Sequence, residues 1–242
     1  MLLEGKTAIV TGANRGLGKA VSRKLAQEGA KVIMAGRKKD DLDKAAAELR
    51  GEGLSAEPFV ADVTKESDVS ALAGYAAEKY GKIDILVNNA GISKEIKLAE
   101  ISMETWDEII EVNLRSVVLM TKAVLPYMTE KKSGNIVNIG SGAALRGLPG
   151  SCAYSASKAA VVCLTQALGD EVREHNIRCN VVCPGPVDTE LFQKSERREF
   201  ILAAGGDVFE PETVANGVLY LASDMSKGVS SQVLTIRGFN RW

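Results

Sequence analysis

Tyr154 and Lys158 stand four residues apart in Cys152-Ala153-Tyr154-Ser155-Ala156-Ser157-Lys158. On a helix that spacing puts both on one face. An ammonium beside a phenol favours the phenolate, an opposite charge typically shifting a pKa by about 1–3 units. A tyrosine starting near ~10 then becomes a proton donor and acceptor around neutral pH. An amphipathic helix with a packed tyrosine and a surface lysine gives the same pattern, so the pair needs support. Ser141 offers some, because it ends the apolar run Asn135–Gly140 and its hydroxyl could donate to a developing alkoxide. Asn113 is polar between Val112 and Leu114. An asparagine inside a helix loses propensity. It is either functional or a buried side chain satisfied by backbone.

A second constellation lies near the N-terminus. The apolar run Lys6–Thr11 leads straight into Gly12-Ala13-Asn14-Arg15-Gly16-Leu17-Gly18, and a helical pattern follows. Glycines let the backbone turn tightly and let a diphosphate approach without a Cβ clash. Free N–H groups at the helix start bind the anion. A plain glycine-rich turn is the alternative. A P-loop does not fit, because Ala13 stands where that motif needs its first glycine and Ala20 follows Gly18-Lys19.

These residues need a frame, and the chain supplies one by alternation. Lys6–Thr11, Lys31–Ala35, Ala56–Ala61, Ile83–Asn88, Asn135–Gly140, Arg178–Cys183 and Gln232–Ile236 read as seven strands. Consecutive apolar residues are what a strand buried on both faces requires. Helical patterns occupy roughly 16–28, 40–51, 66–80, 103–131, 152–175 and 211–222. Strand–helix alternation predicts an α/β fold, a doubly wound parallel sheet with helices on both faces. The 242 residues are read as one domain, with no linker or repeat. Residues 190–210 mix a charged helical segment with Gly205-Gly206 and read as a lid.

Composition removes several function classes. Hydrophobic residues make up 45%, charged residues 25%, and net charge is −1, so no bulk attraction to nucleic acid or an anionic membrane is expected. No apolar run approaches the ~20 residues of a membrane span, and the N-terminus does not read as a signal peptide. A cytoplasmic protein is expected. Cys152, Cys163, Cys179 and Cys183 form no Cys-x-x-Cys pair, and His175 is the sole histidine, poor material for a zinc site. Ile139-Gly140-Ser141-Gly142 lacks the first glycine of a nucleophile elbow, which argues against serine-triad hydrolysis.

Taken together, these motifs resemble the short-chain dehydrogenase/reductase family. Gly12, Gly16 and Gly18 match its TGxxxGxG pattern, followed in order by Asn88-Asn89-Ala90-Gly91, Ser141, the YxxxK of Tyr154 and Lys158, and Pro184-Gly185 with Thr189. The resemblance runs from about Leu3 to Gly238 and is most like the 3-oxoacyl-(acyl-carrier-protein) reductases. It implies a single-domain Rossmann fold and hydride transfer between a nicotinamide cofactor and a carbonyl/alcohol pair. Tyr154 would be the acid–base, Lys158 would tune it and bind ribose, and Ser141 would hold the substrate oxygen. Asn113 would distort its helix and hold a water linking Lys158 to solvent. The resemblance also implies a cofactor site made of Gly12, Asn14, Arg15, Gly16, Leu17, Gly18, Arg37, Asp62, Val63, Asn89, Ala90, Gly91, Tyr154, Lys158, Pro184, Gly185, Val187 and Thr189. Within it Asp62 lies near the adenine, or is simply a cap or turn carboxylate, and the Pro184–Thr189 segment holds the nicotinamide carboxamide.

The cofactor's identity can also be read. An NAD-selective site places an acid at the end of the second strand. Here that strand ends Met34-Ala35-Gly36-Arg37-Lys38-Lys39, and Asp40 and Asp41 read as the cap and first turn of the next helix. Arg37 and Arg15 could instead surround a 2′-phosphate, or be solvated surface charges. NADPH is therefore expected, with NAD still open. Ser141, Leu148, Cys152 and Tyr154 are expected to contact substrate, with Ala143, Leu145 and Pro186 also lining the pocket. Three functions stand in order of preference: an NADPH-dependent carbonyl reductase, an oxidative secondary-alcohol dehydrogenase, and a non-catalytic nucleotide-binding regulator. The small-molecule substrate could be carrier-bound, with Lys131-Lys132 and His175 as a weak basic patch for an acidic carrier. A homodimer or homotetramer pairing residues 103–131 and 152–175 is expected. The turn Ser230-Ser231 and the end Arg237-Gly238-Phe239 depart from many relatives, which carry Gly in that turn and Asp-Gly-Gly at the end.

Overall fold

The computed structural model describes residues 1–203 and 205–238. The strands are β1 (Thr7–Thr11), β2 (Lys31–Gly36), β3 (Ala56–Val60), β4 (Ile85–Asn88), β5 (Gly134–Ile139), β6 (Ile177–Pro184) and β7 (Val233–Ile236). They form one sheet in the order β3-β2-β1-β4-β5-β6-β7. Every neighbouring pair is parallel. The helices are α1 (Gly16–Gln27), α2 (Lys39–Gly51), α3 (Glu66–Tyr80), α4 (Met103–Ile110), α5 (Ser116–Lys131), α6 (Cys152–Glu171), α7 (Glu190–Gln193), α8 (Arg198–Ala203) and α9 (Pro211–Ala222). This is the seven-stranded Rossmann architecture that the alternation predicts.

The burial explains why the strands read as unbroken apolar runs. Ala8 and Val10 pack with α1, α2 and α9 on one face, while Ile9 packs with α3 and α5 on the other. Val32 and Met34 against Ile33 and Ala35 repeat the alternation in β2. Both faces are covered, so both positions of the pleat are largely apolar, and the polar residues buried in the strands, such as Asn88 and Asn138, are hydrogen-bonded to each other. Pro58 sits in β3, the edge strand, where a missing N–H does least harm.

The strand order reverses between β1 and β4. Crossovers leave these two strands in opposite directions, and a crevice opens at their carboxyl ends. The glycine loop follows β1 there, and Asn89-Ala90-Gly91 follows β4.

Three elements differ from the sequence reading. The 103–131 helix is interrupted by a π-helical turn, Glu111–Arg115, that contains Asn113. The 152–175 helix ends at Glu171 and continues as a separate 3-10 turn, Arg173–His175. Asp40 is not the cap of α2: Lys38 holds that position, and Asp40 and Asp41 lie in the first turn. In the turn before β7, Ser231 has φ +61°, a backbone region that favours glycine. Phe239 lies outside the described residues.

Candidate active site

A cleft of about 1500 Å³ runs along the carboxyl ends of the strands. Single drug-sized ligands usually occupy roughly 300–1,000 Å³, so this cleft can take an extended ligand and a second molecule together. All the residues expected to bind cofactor line it, from Gly12 to Thr189.

At one end the glycine loop fixes the approach of backbone to backbone. A Cβ on Gly18 would lie 2.2 Å from the Gly12 carbonyl oxygen and 2.5 Å from Asn89 Nδ2. Gly12 and Gly16 have φ of +63° and +51°. Asn89 Nδ2 donates to the carbonyls of Thr11 (2.9 Å) and Gly12 (3.1 Å). In return, Thr11 Oγ1 accepts from the N–H groups of Asn89 and Ala90, both at 3.0 Å. The loops after β1 and β4 are thus held as one unit. No side chain caps the N-terminus of α1, and no acid stands in its first turn. Its free N–H groups therefore remain available to an anion.

The cleft also carries Arg37, Asp62 and Val63. Asp62 accepts from the Thr64 N–H (3.1 Å) and Oγ1 (2.8 Å), an Asx turn, and also faces the cleft. Burial would raise its carboxyl, but the Thr64 hydrogen bonds and the charges of Arg37 and Lys65 outweigh this and hold it low. Arg37 is exposed. Arg15 is not free as the sequence reading assumed: its guanidinium is paired with Glu190.

At the opposite end Ser141, Tyr154 and Lys158 share the cleft wall. Ser141 caps a 3-10 turn, Gly142–Ala144, accepting from the Ala143 N–H at 3.1 Å. Tyr154 and Lys158 lie on one face of α6, with Lys158 Nζ 5.9 Å from the tyrosine ring centre. Lys158 is 4% exposed and donates to the Ile139 carbonyl at 2.8 Å. Burial lowers its pKa to about 8. Burial also raises the Tyr154 phenol, opposed by the neighbouring Ser141 hydroxyl and reinforced by Cys183. The expectation that the ammonium would set a lowered phenol pKa is therefore corrected. Desolvation outweighs the opposing hydrogen bond from Ser141.

Asn113 stands behind this wall, fully buried and outside the cleft lining. Its Oδ1 accepts from the Ile92 N–H (2.8 Å), and its Nδ2 donates to the Ile92 carbonyl (2.9 Å) and to Ser157 Oγ (3.1 Å). The side chain clamps the loop after β4 to α6. The helix is distorted at Asn113, as the resemblance implied. A Cβ on Gly91 would meet Asn113 Oδ1 at 3.3 Å and Lys158 Nζ at 3.4 Å, so only glycine fits between them easily.

Of the residues expected near substrate, Ala143, Leu148 and Pro186 line the cleft, but Leu145 and Cys152 do not. Cys152 begins α6, and the preceding Ser151 takes the place in the lining. The 190–210 segment contains α7 and α8 and contributes Leu191, Phe192, Phe200 and Ile201. Ser195 is hydrogen-bonded to Glu95, and Arg197 to the Pro149 carbonyl, so this segment is tied to both neighbouring loops. Sequence reasoning missed Ile92, Glu95 and Arg146, because no motif marks a loop residue that tertiary folding brings to a cleft. The basic patch is displaced. Asn176 Nδ2 donates to the Lys132 carbonyl (3.2 Å), which brings Lys132 and the His175 turn together at the amino ends of β5 and β6. That edge is opposite to the cleft of the same chain.

The short chain dehydrogenase family model matches residues 6–199. The chain is a short-chain dehydrogenase/reductase. It is 40% identical over 242 residues to the 3-oxoacyl-[acyl-carrier-protein] reductase FabG of Thermotoga maritima, covering 98% of each chain. It is 40% identical over 248 residues to ketoacyl reductase 1 of the granaticin polyketide synthase of Streptomyces violaceoruber, covering 96% of this chain and 91% of that one. A solved structure assigned to the same family, from Burkholderia xenovorans, superposes with a TM-score of 0.93 at 31% identity, covering 98% and 96%. Members are NAD(P)-dependent oxidoreductases, and the cleft of this enzyme carries an uncapped helix start and a glycine at position 18 where a Cβ would clash. No helix among the described residues is long and apolar enough to cross a membrane.

Proposed function

We propose that this enzyme is an NADPH-dependent carbonyl reductase acting on a ketone of the 3-oxoacyl type. The observation that carries the reading is the convergence of Ser141, Tyr154 and Lys158 on the wall of the cleft into which the glycine loop opens. A nicotinamide held there would supply the hydride chemistry. Ser141 and Tyr154 hold the carbonyl oxygen, and Tyr154 delivers the proton that completes the alcohol. A proton donor must be protonated at working pH, and burial of the phenol favours that form. Lys158 orients the ribose and supplies positive charge beside Tyr154, while Asn113 keeps α6 and the loop after β4 in register. Gly12, Asn14, Gly16, Leu17 and Gly18 would hold the diphosphate, Asp62 and Val63 the adenine, Arg37 the 2′-phosphate, and Pro184, Gly185, Val187 and Thr189 the carboxamide. Asn89, Ala90 and Gly91 form the floor between them.

The apolar lining from Leu148, Leu191, Phe192, Phe200 and Ile201 suits an acyl chain better than a small polar substrate. The relatives named for 3-oxoacyl and ketoacyl reduction support the same class.

The test is Tyr154→Phe, assayed on a panel of ketones and 3-oxoacyl thioesters with cofactor binding followed by fluorescence. Binding is expected to survive. Turnover should fall by about 10²–10⁴-fold, the usual contribution of a positioned acid–base. A purified variant that keeps more than about a tenth of wild-type kcat would remove Tyr154 from the role.

A further inference from the structure

Arg15 belongs to the glycine loop, and Glu190 opens α7 over the cleft. One carboxylate oxygen of Glu190 meets Arg15 and the other meets Lys194. The contact is continuous with the loop itself, since a Cβ on Gly16 would lie 3.3 Å from Thr189 Cγ2. Lys194 and then Arg15 hold the Glu190 carboxyl below the usual carboxylate range, so it is ionised at neutral pH. The Asn14 side chain reaches the end of β2, where a Cβ on Gly36 would meet its Oδ1 at 3.4 Å. Asn14, next to Arg15 in the loop, thus packs at the end of β2 that leads into Arg37, and Arg15 itself, which lines the same cleft as Arg37, pairs with Glu190.

We propose that Glu190 is a selectivity residue, competing with the cofactor's 2′-phosphate for the Arg15 guanidinium. The inference rests on the reading of this cleft as a dinucleotide site. A guanidinium already bound to a carboxylate must exchange one anion for another when a 2′-phosphate arrives. A ribose 2′-hydroxyl makes no such demand and leaves the pair intact. Glu190 thus weakens binding of phosphorylated ribose specifically and narrows the preference that Arg37 and Arg15 create. The pair also ties α7 to the glycine loop, so 2′-phosphate binding releases one tether of the 190–203 segment.

Both side chains are substantially exposed, 64% for Arg15 and 41% for Glu190. Exposed pairs are weak, which limits the effect to about two- to five-fold. The test measures binding of adenosine 2′,5′-bisphosphate and adenosine 5′-monophosphate by calorimetry at low salt, in the wild type, Glu190→Gln, Arg15→Ala and the double variant. Glu190→Gln is expected to tighten the bisphosphate over the monophosphate by about two- to five-fold. That gain should vanish in the Arg15→Ala background. An unchanged ratio in Glu190→Gln overturns the inference, as does a gain that persists without Arg15, because Glu190 would then act only through its general field. A wild type that does not distinguish the two nucleotides sinks the NADPH reading instead. Glu190 keeps its role in that case only if its replacement uncovers a preference, and loses it otherwise.

Discussion

Replacing Gly18 with alanine tests whether the glycine loop is fixed by contact or merely tolerates small residues. The added Cβ would lie 2.2 Å from the Gly12 oxygen, 2.5 Å from Asn89 Nδ2 and 2.8 Å from the Gly12 carbonyl carbon. Ordinary carbon contacts sit at roughly 3.5–4.0 Å, so the overlap exceeds an ångström. Neither neighbour can yield cheaply. Gly12 is backbone, and Asn89 is tied to the Thr11 and Gly12 carbonyls. The start of α1 must therefore move away from β1, at about 1–3 kcal/mol, the usual range for overpacking. In a protein of this size that lowers Tm by roughly 2–12 °C. Cofactor affinity should fall too, because the uncapped N–H groups shift with the helix. Gly74 is the matched control: it lies inside α3, and a Cβ there meets nothing within 4 Å. Gly74→Ala should stabilise by about 0.5–1 kcal/mol, from helix propensity alone. Calorimetry and fluorescence titration on both variants give the answer. A Gly18→Ala protein that melts with the wild type and binds cofactor equally well would refute the argument.

Three further outcomes follow from the same geometry. Arg37→Asp should raise KM for NADPH far more than for NADH while kcat changes little; a wild type with equal kcat/KM for both cofactors would contradict the assignment of Arg37. Lys158 has its pKa lowered from 10.5 to about 8 by burial, so below about 8 both native and unfolded states are protonated and the burial penalty is fully present. Between about 8 and 10.5 the unfolded state binds more protons, so stability rises with pH. Lys158→Met should accordingly be inactive yet more stable than wild type at pH 7, by roughly 1–3 kcal/mol. That gap should close as the pH approaches 10.5, and a pH-independent gap in thermal melts would exclude the burial argument. Finally, residues 103–131 and 152–171 are expected to pair between subunits, and sedimentation at micromolar protein showing only a 25.8 kDa species would disprove it.

Local chemistry decided much of this protein in advance. Strand–helix alternation and strands with consecutive apolar residues, such as Ala8-Ile9-Val10 in β1, set the parallel sheet, because a strand covered on both faces favours apolar residues at every position. The glycines at 12, 16 and 18 and the Tyr154–Lys158 spacing were readable for the same reason: each is a short-range requirement of backbone or helix geometry. What the sequence could not decide depends on distant segments meeting. Asn113 could be read as an oddity in a helix, but its partner Ile92 lies 21 residues away on another loop. Arg15 could be read as a phosphate ligand, but Glu190, 175 residues later, occupies it. Cys152 sits one residue too far along α6 to face the cleft, a difference of helical phase that motif spacing does not carry. The Tyr154 phenol shows the limit most clearly. Charge pairing along one helix predicts a lowered pKa, and only the enclosing loops create the desolvation that reverses it. Coulomb attraction between near neighbours can be counted from sequence, whereas the loss of water is a property of the assembled surroundings.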